Sequence, residues 1–347
     1  MDVFIARLVY LVLFFILLLV PLGLLLLANF GERRPTARIL TIISIAGVAA
    51  LLALLALLSL VAPFAASMAE PSAAPPVTSF FIAFITAFVL GLTAVGVVLP
   101  MIPQVRGALS HIIPIRRDSI VDGVALSLAV ALVGFSIASL PSAGNLTNAS
   151  AAGDAAGLME DAVTLPTIWL QGIMFAVYGF IGVGLWVRRS FREVMERLGL
   201  GPLTPQYLSI AIGVFLALFL LDTFINLGWR TLAPQAFEEF GRVTDALFGP
   251  FTSIPGAITL GVSAGIGEEI LFRGAAQPRL GLWLTAFLFA IAHVQYGLTP
   301  ALIELFIVGL VLGYTRQKTN TTTTIVVHTL FNASTILIAL YFPNFMS

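Results

Sequence analysis

Cysteine is absent from this 347-residue chain, histidine occurs three times, and charged residues make up only 10%. Without thiols there is no disulfide framework, no thiolate metal site and no cysteine nucleophile. Seventeen basic residues balance seventeen acidic ones, and the basic ones are scattered through short connections. That distribution offers no nucleic-acid surface. Apolar residues are what the chain has in quantity: 59% of the total, with a mean hydropathy of +1.05. Such a composition excludes an ordinary soluble domain and makes lipid the expected solvent.

Apolar segments long enough to span a bilayer fall near 6–29, 39–61, 79–102, 120–140, 167–187, 206–228, 252–275, 280–296, 300–315 and 322–342. They predict an all-α, polytopic membrane helical bundle of about ten transmembrane helices, in a range of eight to ten because the eighth and ninth segments are short. The first segment is too long for a signal-peptide core and has no clear cleavage site before Glu32-Arg33-Arg34, so it is expected to remain as a spanning helix. Basic residues occupy alternate connections: Arg33, Arg34 and Arg38; Arg106, Arg116 and Arg117; Arg188, Arg189, Arg192 and Arg197; Arg279; Arg316 and Lys318. By the positive-inside rule both termini lie outside and these connections face the cytoplasm, as in an integral protein of a prokaryotic plasma membrane.

The connections differ in kind. Residues 68–76 and 141–166 are rich in small and turn-forming residues and read as surface loops. Residues 188–200 read as a charged amphipathic helix, followed by Gly201-Pro202 as a hinge. A boundary there separates 1–204, amino-terminal helices without a recognisable motif, from 205–342, where the polar chemistry lies.

Within 205–342, Glu268 and Glu269 lie side by side in an apolar stretch, where carboxylates are costly and therefore informative. On a helix, Glu269 and Arg273 share a face and can pair, whereas Glu268 points about 100° away and is left to face a cavity. Phe289 and His293 share a face of the eighth segment, and His328 and Asn332 share a face of the tenth. At about 1.5 Å rise per residue from the cytoplasmic ends, Glu268 lies about 14 Å deep, His293 about 18 Å, His328 about 11 Å and Asn332 about 17 Å. One layer can hold all four. A carboxylate and an imidazole there can activate water, while an imidazole N–H and an amide can stabilise a tetrahedral oxyanion. No serine sits in a GxSxG turn.

These residues resemble the three motifs of the CPBP family of intramembrane glutamic endopeptidases, which includes CAAX proteases and bacteriocin-processing enzymes. EExxxR is Glu268, Glu269 and Arg273; FxxxH is Phe289 and His293; HxxxN is His328 and Asn332. The resemblance covers roughly 205–342. It implies a metal-independent protease in which Glu268 and His293 activate water, His328 with Asn332 forms the oxyanion hole, and Glu269, Arg273 and Phe289 support them. It also implies no cofactor and a peptide or protein substrate at the membrane, lipidated in the CAAX case, with membrane lipids as the other partners. The connection between Arg273 and Phe289 is shorter than the family pattern.

Other polar residues sit at membrane depth. Asp222 and Asn226 share a face and either enter the cavity or pair with a neighbour, and Glu304 lies near the external end. Asp122 reads as a solvated or capping acid at a helix boundary, and His111 as a surface residue. Gly261 and Gly265 permit close helix approach beside Glu268, and the run 320–324 offers a cap for the last helix. Two other function classes fit less of the pattern. A zinc protease needs ligands of the kind two histidines and a carboxylate supply, but no HExxH helix is present. A non-enzymatic membrane partner or transporter has no evident need for an acid, two imidazoles and an amide in one layer.

Overall fold

The computed structural model describes residues 18–69, 77–143 and 164–342. The chain forms α1 (Leu18–Gly31), α2 (Pro35–Ala69), α3 (Val77–Val98), α4 (Pro103–Leu109), α5 (Ile120–Ala143), α6 (Leu165–Gly182), α7 (Phe191–Leu198), α8 (Pro205–Leu232) and α9 (Pro234–Phe248). It continues through α10 (Ile254–Glu268), a π-helical segment (Glu269–Ala276), α11 (Gln277–Ile291), α12 (Pro300–Lys318) and α13 (Thr321–Tyr341). No sheet forms among the described residues; the one bridge pairs Leu185 with Arg189. The architecture is an all-α membrane bundle.

Seven helices among the described residues are long and apolar enough to cross a bilayer. The difference from ten has three sources. The first predicted segment lies partly outside the described residues, with α1 as its described part. The seventh and eighth merge into one helical stretch, Ile254–Ile291, of 38 residues. As a straight rod it would reach about 57 Å, nearly twice the hydrocarbon thickness. Gly281, at φ +79°, breaks it and lets α11 turn back, a conformation that glycine tolerates and a side chain does not. The ninth, α12, is long enough, but Glu304, Arg316 and Lys318 lower its hydropathy.

Packing follows residue size. Thin helix faces let α10 sit between α6 and α13: a Cβ at Gly265 would come 2.3 Å from Thr329 Oγ1, and one at Gly267 would come 2.4 Å from the Gly172 carbonyl. With lipid as apolar as leucine, such close backbone contact and interhelical hydrogen bonds hold membrane helices together. Here the Ser263 hydroxyl donates to the Ile168 carbonyl at 2.8 Å, and Trp169 Nε1 donates to Thr259 Oγ1 at 3.1 Å. The main apolar core gathers Leu218, Phe272, Leu288, Phe289, Leu312 and Val327, drawn from α8, the π-segment, α11, α12 and α13. Large apolar side chains such as Leu57 and Phe224 face outward, as a lipid solvent requires.

The alternate basic connections meet at one end of the bundle. Arg33 donates to the Arg188 carbonyl at 3.4 Å, Arg188 Nε to Asn29 Oδ1 at 2.7 Å, and Arg38 to the Asp118 carbonyl. Asp122 is 2% exposed and pairs with Arg279 while accepting from the Arg116 backbone N–H at 2.9 Å. Of the two expectations, a solvated or a capping acid, the first is corrected: Asp122 lies in the first turn of α5 and is a buried clasp between α5 and α11.

The amphipathic connection is shorter than 188–200. Residues 184–190 form a turn instead, with Gly184 and Trp186 at positive φ, and Ser190 and Glu193 form a capping box that starts α7. Gly201-Pro202 is fastened rather than hinged. Thr321 Oγ1 donates to the Leu198 carbonyl at 2.6 Å, Thr322 Oγ1 to Gly201 at 2.8 Å and Asn320 Nδ2 to Pro202 at 3.0 Å. The same Asn320 caps α13 by accepting from the Thr323 N–H at 2.9 Å. These bonds fix the depth at which α13 starts.

Candidate active site

Glu268 ends α10 and Glu269 begins the π-segment, so the two carboxylates leave the backbone at the point where helical geometry changes. π-Turns of this kind occur often at functional sites. Glu269 is fully buried, and its Oε1 takes both Arg273 Nη1 at 3.0 Å and His328 Nδ1 at 2.9 Å. The pair predicted from the i,i+4 spacing thus forms, and it reaches across to α13 as well.

Arg273 is 1% exposed, and its guanidinium lies 4.1 Å over the Phe289 ring. A cation over an aromatic face is stabilised by the ring quadrupole, more so when water is excluded. The Phe289 ring also stands 5.0 Å from the His293 ring and 5.9 Å from the His328 ring. It is the common wall between the arginine and both imidazoles.

Glu268 is 9% exposed, and its Oε2 is buried with no hydrogen-bond partner among the described residues. That oxygen lies 3.8 Å from His293 Nε2. His293 Nδ1 is 2.8 Å from the Phe289 carbonyl, which can only accept, so Nδ1 carries the hydrogen. In the neutral ring Nε2 is then an acceptor. Two acceptors face each other across a gap too wide for a direct hydrogen bond.

The described structure brings Glu268, Glu269, Arg273, Phe289, His293 and His328 together. Asn332 lies one turn beyond His328 on α13, half-buried and without a hydrogen bond among the described residues. Asn226 Nδ2 donates to Asp222 Oδ1 at 3.0 Å, and Asp222 faces Glu304 across α8 and α12. The structure joins those three polar residues to one another and records no bond from them to Glu268 or the histidines. Among the described residues no group of three or more His, Cys, Asp and Glu side chains is arranged to hold a metal.

Sequence reasoning missed Tyr296, whose ring stacks on His293 at 6.4 Å with a 6° interplanar angle. Tyr296 is packed in turn by Phe240 and Phe248 of α9, at 5.8 and 6.3 Å. That helix lies in what reads as a plain connection. The available signal was Pro234 at a helix start followed by apolar Phe237, Phe240 and Leu247 among charged residues.

Residues 250–334 match the family described as Type II CAAX prenyl endopeptidase Rce1-like, which places a domain of that kind in the part of the chain holding these side chains. The chain is also 24% identical over 123 residues to an uncharacterised protein of Bacillus subtilis, YpbD. That similarity covers 35% of this chain and 61% of the relative. No solved structure matches.

Proposed function

We propose that the chain is an intramembrane, metal-independent endopeptidase that hydrolyses a membrane-associated peptide with water activated by Glu268 and His293. The observation that carries this reading is the pair of facing acceptors, Glu268 Oε2 and His293 Nε2, 3.8 Å apart. A water donating one hydrogen to each has its lone pairs free to attack a carbonyl. As the C–O bond forms, Glu268 takes the proton, and it returns that proton to the departing amine when the C–N bond breaks.

The oxyanion made in the attack needs donors already in place. His328 is held by Glu269 through Nδ1, which directs Nε2 away from the pair, and Asn332 follows one helical turn later. The Nε2 side of His328 and the Asn332 amide are the donors this reading aims at the oxyanion. Arg273 neutralises Glu269 and leaves Glu268 as the free base. We further propose ten crossings with the arginine-rich end in the cytoplasm, the first 204 residues acting as a scaffold beside a catalytic 205–342.

The test is hydrolysis of a reconstituted peptide library by the purified full-length protein, compared with Glu268→Gln and His293→Ala. A Glu268→Gln pull-down from native membranes identifies the substrate and reports whether it carries a lipid.

A further inference from the structure

Five arginines converge at the basic end of the bundle. Arg188 and Arg189 lie on the turn after α6, Arg197 on α7, Arg279 at the start of α11 and Arg316 at the end of α12. Arg279 lies within electrostatic reach of Arg188, Arg189 and Arg197, and Arg316 within reach of Arg197. Asp122 neutralises Arg279. Among the described residues the other four form no ion pair, and the bonds Arg188, Arg189 and Arg197 make go to the Asn29 amide oxygen and to the carbonyls of Val183 and Gly274. Arg188 Nη2 and Arg316 Nε are buried with no acceptor among the described residues. Burial, followed by repulsion from Arg279, pushes Arg188 and Arg197 down to about 10.

A positive-inside bias explains the sign of these side chains. It does not explain why four half-buried guanidinium groups gather with Glu32, Glu193 and Asp122 only at a distance and no carboxylate among the described residues in direct contact. Guanidinium groups with spare N–H donors in that setting suit a phosphate, which accepts in bidentate fashion and removes the repulsion.

The same turn closes one end of an apolar groove of about 430 Å³ between α6 and α10. Ile173, Val177, Phe180 and Ile266 wall it, and Leu185 and Trp186 lie at its end. Ile173 is 55% exposed, so the groove opens toward lipid. Trp186, 80% exposed and at φ +58°, stands outward beside it in the manner of an interfacial anchor.

We propose that this turn and groove bind one anionic phospholipid, its acyl chain along α6 and α10 and its phosphate on Arg188 and Arg189 within the field of Arg197 and Arg279. Continuity of the arginine turn with the lipid-facing groove favours a lipid over a free anion.

The test is native mass spectrometry of the full-length protein released from nanodiscs holding equal phosphatidylglycerol and phosphatidylcholine. Wild type is expected to retain one phosphatidylglycerol preferentially. Arg189→Gln is expected to lower that preference about fivefold, the effect of one interfacial cation. Ile173→Trp fills the groove without touching an arginine and is expected to lower retention of the lipid. Equal retention of both lipids by wild type, or unchanged preference in both variants, would overturn the proposal. So would thermal stabilisation by inorganic phosphate alone that equals stabilisation by phosphatidylglycerol.

Discussion

His293 Nε2 stands 3.8 Å from Glu268 Oε2, although their separation of 25 residues would span about 37 Å as a straight helix. The contact exists because Gly281 reverses the chain and the π-segment turns Glu268 and Glu269 to different partners. Substitution of Gly281 by valine is therefore expected to separate the two groups, since a β-branched residue cannot hold φ +79° without strain. The distance between spin labels on α10 and α11, measured by electron–electron double resonance, should lengthen in that variant.

Glu269 is expected to matter for folding as well as for placing His328. Glu269→Gln leaves Arg273 buried without a counter-charge, a loss of about 3–5 kcal/mol. Pairing it with Arg273→Met should recover part of that loss, so the double variant will unfold at a higher temperature than the sum of the singles indicates. Simple additivity in a thermal double-mutant cycle would argue against the ion pair.

The Asp122 clasp between α5 and α11 gives a second stability test. Asp122→Asn removes the carboxylate that neutralises buried Arg279 and accepts from the Arg116 N–H, and it is expected to cost about 3–5 kcal/mol in chemical denaturation. His111, on the exposed connection before it, is expected to change stability by less than about 0.5 kcal/mol when replaced by alanine.

Close approach of α6 and α10 depends on Gly267, where an added Cβ would meet the Gly172 carbonyl at 2.4 Å. Gly267→Ala is expected to destabilise by about 1–3 kcal/mol by forcing the backbones apart. Gly213, with nothing within 4 Å of its added Cβ, should accept alanine with a gain of about 0.8–1.0 kcal/mol from helix propensity. Thermal melts of the two variants in the same detergent check both signs.

Much of this arrangement was legible in the residues themselves. The Glu269–Arg273 pair followed from four-residue spacing, and the Asn320 cap followed from a polar residue ahead of an apolar run. Less legible was anything set by contact across the bundle. Glu269 spacing gave no sign that its other partner would be His328, because that bond spans 59 residues. The place of Asp122 at a helix start was legible, but its burial was not, because its partner, Arg279, lies 157 residues away and only the fold joins them. Tyr296 and α9 escaped notice because a charged amphipathic stretch between two apolar spans resembles a loop until its aromatic face finds Trp229 and Tyr296. The π-geometry at Glu269 has no sequence signature that periodicity detects.

The central claim is that the Glu268 carboxylate, freed by the Glu269–Arg273 pair and faced by His293, removes a proton from water. The most direct measurement is peptide cleavage by purified full-length protein in nanodiscs, with wild type and Glu268→Gln compared under single-turnover conditions. The amide keeps the shape and cannot accept the proton, so the rate is expected to fall by about 10²–10⁴-fold while folding and peptide binding persist. Cleavage by Glu268→Gln at the wild-type rate would contradict the account.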